Sequence, residues 1–164
     1  YICLGQFDNE DNPRAHYETT GPEILKEVKD VSFIVAGIGS GGTIVGAGKF
    51  LKEKNKEIKV IGIEPKSSPL ITENKSGPHK IQGIGANFIP KIYDKDIVDK
   101  VITVSDEDSY ETVRLIANKL GILIGISSGA NISGAMKLSD ENPDKIIVTV
   151  APDGVDKYMS MGIF

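Results

Sequence analysis

The stretch Gly37-Ile38-Gly39-Ser40-Gly41-Gly42-Thr43 constrains this chain more than any other. An apolar, β-rich run, Val31 to Ala36, leads into it, and a helix-forming run, Ile44 to Leu51, leads out. Glycines accept positive φ and lack the Cβ atoms that block a close approach. Successive backbone N–H groups can then converge on one cluster of oxygens, with the positive end of a helix dipole behind them. The order strand, glycine turn, helix therefore builds an anion site, and a phosphate is its natural occupant. Three readings of the turn compete. Gly37-x-Gly39-x-x-Gly42 spells a dinucleotide fingerprint, with Glu64 as the acidic residue about 20 positions on. Gly39 to Thr43 can instead form a compact cup for one phosphate monoester, with Ser40 and Thr43 adding hydroxyl donors. The third reading is a tight turn without a ligand.

Several classes are excluded by composition. A net charge of −4, with no basic run, argues against a nucleic-acid surface. One cysteine, Cys3, excludes an internal disulfide and a cysteine-rich metal site and fits a reducing, cytoplasmic setting. No apolar run approaches the ~20 residues of a membrane span, and no signal peptide is visible. With 164 residues, 40% of them hydrophobic, one domain with a single core is expected. The chain opens without Met inside an apolar strand end, Tyr1 to Leu4, which reads as part of a longer protein.

Along the chain, a polar, turn-rich segment (Gln6 to Asn12) precedes a helical turn over Arg14 to Thr20. Thr20-Gly21-Pro22-Glu23 has capping-box spacing and opens a helix to about Lys29. His16 reads as solvated surface. Val31 to Ala36, the glycine turn, a helix to about Asn55 and an apolar run over Glu57 to Ile63 make a right-handed βαβ unit. Gly46, Ala47 and Gly48 predict close packing of that helix on the sheet. A helical turn is expected at Leu70 to Glu73, and residues 81–88 read either as backbone brought close to something or as an ordinary buried loop. Val98 to Val104 is a third strand, Ser105 caps the next helix, and Gly121 ends it. Ile122 to Ile126 reads as a short strand. Ser127 then stands at the start of a small-residue helix, either as its N-cap or as a hydroxyl aimed at a ligand in the crevice at the strand ends. Lys145 to Val150 is the last strand, followed by the turn Ala151-Pro152-Asp153-Gly154.

Five motifs in order carry a family resemblance: Gln6-Phe7-x-Asn9 with Asn12-Pro13; Thr19-Thr20-Gly21-Pro22-Glu23-Ile24; Gly39 to Thr43; Lys80-Ile81-Gln82-Gly83-Ile84-Gly85-Ala86; and Gly125-Ile126-Ser127-Ser128-Gly129-Ala130. Together they resemble the cysteine synthase (O-acetylserine sulfhydrylase) family of pyridoxal-phosphate enzymes with the tryptophan-synthase-β-like fold. The resemblance implies an α/β, three-layer domain: a mainly parallel twisted sheet with helices on both faces. It implies that Gly39, Ser40, Gly41, Gly42 and Thr43 hold the 5′-phosphate of pyridoxal 5′-phosphate and that Ser127 faces its ring nitrogen. Gln6 is then the glutamine near the substrate carboxylate, and Gly83 to Ala86, with Gly85 between, line the substrate pocket. Asn87 follows them where the family usually has glycine.

The cofactor is an electron sink tuned by the partner of its ring nitrogen. A serine there leaves that nitrogen neutral and the sink weak, which favours expelling a leaving group from Cβ over racemisation or transamination. The expected reaction of the complete protein is O-acetylserine plus sulfide to cysteine plus acetate. Alternatives are a hydrogen-sulfide-producing cysteine lyase or a lanthionine synthase, towards which Asn87 could shift the second reactant. From other classes, a nucleotide-binding Rossmann domain or a non-catalytic scaffold remains. The family's Schiff-base lysine lies upstream of the Gln-Phe motif, and none of the lysines here stands in its motif. Residues 1–12 thus read as the end of a small N-terminal domain and its connection. Residues 13–164 read as the large phosphate-binding domain, expected to be inactive alone. Family members are typically homodimers, and some bind the C-terminal tail of serine acetyltransferase, so both are implied as partners beside an amino-acid substrate and sulfide or a thiol.

Overall fold

A computed structural model describes residues 3–163. Of the strand end expected at Tyr1 to Leu4, Tyr1 and Ile2 lie outside the described residues, and Cys3 and Leu4 are coil. Two short helices open the fold, α1 (Asp11–Glu18) and α2 (Thr20–Glu27). The unit β1 (Val31–Gly37), α3 (Gly42–Lys54), β2 (Lys59–Pro65) follows. Next come α4 (Leu70–Glu73), a long connection, β3 (Lys100–Val104), α5 (Asp106–Leu120), α6 (Ile126–Glu141) and β4 (Ile146–Thr149). A 3-10 helix, Val155–Met161, closes the described chain.

Among the described residues the strands form one parallel sheet in the order β3-β2-β1-β4. The central strands are apolar on both faces because both faces are covered. Ile34 and Ala36 of β1 and Val60 of β2 pack with Ile44, Ala47 and Leu51 of α3. The alternate residues, Val35, Ile61 and Ile63, pack with Val113 of α5 and Ile126 and Ala130 of α6. This is the three-layer α/β architecture expected from the sequence.

Two local expectations are corrected and a third is extended. No capping box forms at Thr20: α1 ends only two residues earlier, and the threonines serve it instead. The Thr19 hydroxyl donates to the Ala15 carbonyl (2.8 Å), and Thr20 Oγ1 pairs with His16 Nδ1 (2.9 Å). Ile122 to Ile126 is not a strand, because β4 occupies the edge of β1 and α6 already begins at Ile126. Only Ile124 makes a bridge, to Gly154, and Ile122 and Leu123 are exposed. The small residues of α3 serve two partners rather than the sheet alone. A Cβ on Gly48 would lie 2.8 Å from Val60 of β2, whereas one on Gly46 would lie 2.0 Å from the Pro13 carbonyl of α1. The cap of α5 is as expected: Ser105 Oγ accepts from the Asp108 N–H (3.0 Å), and Gly121 ends the helix at φ 68°.

Candidate functional site

In a parallel sheet, ligands bind beyond the carboxyl ends of the strands where neighbouring strands depart in opposite directions. Here that point is β1, flanked by β2 on one side and β4 on the other. A cleft of about 360 Å³ lies there, lined by the glycine turn, residues 82–84, Ser127 and Asn131 of α6, and the segment after β4. A larger cleft of about 1000 Å³ between α1, α3 and residues 89–96 carries surface charges of both signs and no comparable set of converging donors.

The turn gathers backbone donors that the rest of the fold does not use. Gly41 caps α3 at φ 90°, a left-handed conformation that favours glycine. Among the described residues, the backbone N–H groups of residues 39–41, 43 and 44 donate to no protein acceptor. A Cβ on Gly39 would lie 2.3 Å from the Gly83 carbonyl oxygen, so the loop at 83 rests directly on the turn. Both hydroxyls of the turn are held from behind by α1. Asn12 Nδ2 donates to Ser40 Oγ (2.9 Å) and to the Gln6 carbonyl (2.8 Å). His16 Nε2 meets Thr43 Oγ1 at 3.1 Å. His16 is thus half-buried between two threonines, not the solvated residue expected, and burial lowers its pKa.

Ser127 sits in the first turn of α6 and is buried. It is not the N-cap; Gly125 is, without a side-chain bond. The Ser127 hydroxyl makes no hydrogen bond among the described residues and lines the cleft, with the Gly83 backbone close beside it. Asn131, one turn on, donates through Nδ2 to the Val150 carbonyl (3.0 Å), leaving a buried Oδ1 without a donor.

The capping role at α6 falls to Asp153, which sequence reasoning placed only in a turn. Its Oδ1 accepts from the Ser128 N–H (2.9 Å) and hydroxyl (2.5 Å). Its Oδ2 accepts from the Ser127 N–H (3.3 Å) and the Tyr158 hydroxyl (2.6 Å). Burial raises the Asp153 pKa, but these hydrogen bonds outweigh it and hold the carboxyl below its usual range. Burial and the neighbouring carboxylate push the Tyr158 phenol well above its usual range. Asp153 thus fills the positive end of α6, and the end of α3 is left for an external anion.

The remaining candidate residues lie apart from this cleft. Gln6 is not among its lining residues and reaches it only through Asn12. Gly85, Ala86 and Asn87 line a small neighbouring crevice with Ser68 and Leu70. Asn87 adopts φ 59°, which explains why a glycine-like position tolerates asparagine. Its Oδ1 accepts from the Ser68 hydroxyl (2.8 Å).

Glu64 decides against the dinucleotide reading. It is buried, and its carboxylate accepts from the N–H groups of Ile71 (2.8 Å) and Thr72 (3.1 Å) and from the Thr72 hydroxyl. A carboxylate buried at 2% exposure and turned onto α4 is not presented to a ribose. Glu64→Ala is expected to cost about 2 kcal/mol, the scale of a lost cap and its orphaned donors, read by thermal unfolding. An unchanged midpoint would show that α4 does not depend on it.

Comparison with known proteins agrees with this geometry. Residues 1–153 match the family model described as pyridoxal-phosphate dependent enzyme. The chain is 46% identical to cysteine synthase B of Campylobacter jejuni over 99% of its length and 54% of the relative's. It superposes on the crystal structure of cysteine synthase from Entamoeba histolytica with a TM-score of 0.96 at 39% identity, covering 100% of this chain and 49% of that one. A hydrogen sulfide-producing enzyme from Fusobacterium nucleatum gives a TM-score of 0.93 at 43% identity, covering 97% and 55%. The chain spans about half the length of the curated relatives it matches. With this match over residues 1–153, the chain belongs to the family of pyridoxal-phosphate dependent enzymes.

Proposed function

We propose that the complete protein catalyses pyridoxal-phosphate-dependent β-replacement, O-acetylserine plus sulfide to cysteine plus acetate. One observation carries the reading. The glycine turn, with five backbone N–H groups that meet no acceptor among the described residues, and the Ser127 hydroxyl, likewise unbonded among them, line the same cleft, while its carboxylate, Asp153, is engaged by α6 and Tyr158. Gly39 to Thr43 would hold the 5′-phosphate through backbone N–H groups and two hydroxyls. Ser127 would meet the ring nitrogen with a hydroxyl, which does not keep that nitrogen protonated. The cofactor supplies the electron sink that lets the α-proton leave. The backbone at 83–86 would border the substrate, and Gln6 its carboxylate. Residues 13–164 form the phosphate-binding domain in this reading. The protein works as a cytoplasmic homodimer on small molecules, with the tail of serine acetyltransferase as a further partner. Among the described residues, no helix is long and apolar enough to cross a membrane.

Hydrogen sulfide production from cysteine is the second reading, favoured by the similarity to the Fusobacterium enzyme. Asn87 adds nothing to that second reading. Its amide is no base, and its oxygen is held by Ser68, so it cannot take a proton from an attacking water.

The visible absorption spectrum of the full-length protein tests the proposal. A band that moves on adding O-acetylserine and returns with sulfide is expected, with a much smaller response to cysteine. A full-length protein that stays colourless after pyridoxal phosphate is supplied overturns it; a larger response to cysteine than to O-acetylserine selects the lyase.

A further inference from the structure

We propose that one face of α1 sets the direction of both hydroxyl hydrogen bonds in the glycine turn. Asn12 and His16 hold Ser40 and Thr43 by their oxygens, so that both hydroxyl protons point at the bound phosphate. The inference rests on reading the turn as the cofactor's phosphate site. His16 acts through Thr43 and is a positioning residue.

Asn12 and His16 are four residues apart on α1 and so share a face. The backbone at Gly46 lets this face approach: a Cβ there would meet the Pro13 carbonyl at 2.0 Å and His16 Cβ at 2.9 Å. The polarity at Ser40 follows from donor counting. The Gln6 carbonyl can only accept, so the Asn12 atom beside it is the NH₂, and the same NH₂ donates to Ser40 Oγ. The Gly42 N–H also points at that oxygen, at 3.4 Å. Ser40 therefore accepts from the protein, and its own proton is left for the ligand.

Thr43 is governed by the His16 tautomer. A neutral imidazole donates from one nitrogen and accepts at the other, and burial favours the neutral form here. If Nδ1 carries the proton, it donates to Thr20, and Nε2 takes the Thr43 proton, leaving lone pairs towards a phosphate. If Nε2 carries it, Thr43 accepts from His16 and donates to the phosphate, while the Thr20 hydroxyl donates to bare Nδ1. A fully ionised phosphate only accepts, so cofactor binding selects the second arrangement. A histidine that merely braced α1 against α3 would be indifferent to which nitrogen held the proton.

The test is NMR of the uniformly ¹⁵N-labelled full-length protein, which reads both the histidine ring nitrogens and the backbone amides. His16 is assigned by its loss in His16→Gln, and spectra are compared for the cofactor-free, pyridoxal-phosphate-loaded and inorganic-phosphate-saturated states. The loaded and phosphate-saturated forms are expected to show His16 protonated at Nε2 and bare at Nδ1. Protonation at Nδ1, or an unchanged mixture of tautomers on loading, overturns the proposal while leaving the phosphate site standing. If neither probe moves the amide resonances of residues 39–43, the phosphate reading itself falls, and this inference with it. In parallel, His16→Leu is expected to raise the cofactor's dissociation constant about 3- to 10-fold, the effect of one ordinary hydrogen bond. His16→Gln keeps a donor and should stay within about threefold of the wild type. Wild-type affinity in His16→Leu also overturns the proposal.

Discussion

Gly39→Ala is expected to weaken pyridoxal phosphate binding by about 10- to 100-fold, the scale of a hydrogen bond lost to a charged group. The added Cβ would stand 2.3 Å from the Gly83 carbonyl oxygen, and contacts below 3.0 Å are essentially never seen for real Cβ atoms. The obstacle is backbone, so no rotamer change relieves it. Nor can the 83–85 loop simply retreat, because the Gly85 N–H is bonded to the Ile38 carbonyl (3.0 Å), one residue before Gly39. Either the turn opens or the loop lifts, and in both cases the N–H groups proposed to hold the phosphate spread apart. The sheet beneath should be undisturbed, since Val35 and Ala36 are packed from both faces. Titration of cofactor-free full-length protein with pyridoxal phosphate, followed by visible absorption, gives the affinity. Gly121→Ala is the control: it strains a position at positive φ, but nothing lies within 4 Å of the new methyl. It should lower stability by about 1 kcal/mol without touching cofactor affinity. Wild-type affinity in Gly39→Ala would remove the turn from the phosphate site.

What was legible in the sequence was local. The strand, glycine turn and helix at 31–54 announce themselves by composition within a short window. The turn at Leu70–Glu73 and the Ser105 cap with its Gly121 stop do the same. The misread parts depend on partners far along the chain. His16 looks solvated among Arg14, Tyr17 and Glu18, but its second bond spans 27 residues to Thr43. Ile122 to Ile126 has a strand's composition, yet its edge of the sheet is already taken by a strand that comes later. Ser127 looks like a cap because serine often is one; what displaces it is a carboxylate 26 residues downstream. Glu64 sits at the distance of a ribose ligand from the glycine fingerprint, and only the structure shows it spent on α4. Spacing can propose a role for a side chain, but its hydrogen-bond capacity is limited, and the partners that use it up need not be near in sequence.

Asp153 shows the same limit with the largest expected effect on stability. Asp153→Ala removes the acceptor from two N–H groups at the start of α6 and from the buried Tyr158 hydroxyl, and leaves the buried Ser128 hydroxyl only the Asp153 carbonyl at 3.0 Å. A lost cap and orphaned buried donors together cost about 3 kcal/mol, or roughly 10 °C in the unfolding midpoint of a domain this size. Asp153→Asn should be nearly as damaging despite its equal volume. Donors converge on both carboxylate oxygens, and the amide would turn an NH₂ towards one pair of them. Charge gives the effect its pH dependence. Hydrogen bonds hold the folded pKa of Asp153 below the unfolded value of about 3.9, so the unfolded chain takes up the proton first as pH falls. Its contribution is therefore fully present at pH 7 and is lost as pH falls through the folded pKa. Denaturant unfolding of wild type and Asp153→Asn should differ most near neutrality, and the gap should close towards strong acid. A gap of constant size would mean that the side chain's charge contributes nothing. The attachment of α6 would then rest on the Asp153 carbonyl, which accepts the Gly125 N–H at 2.9 Å and survives either substitution.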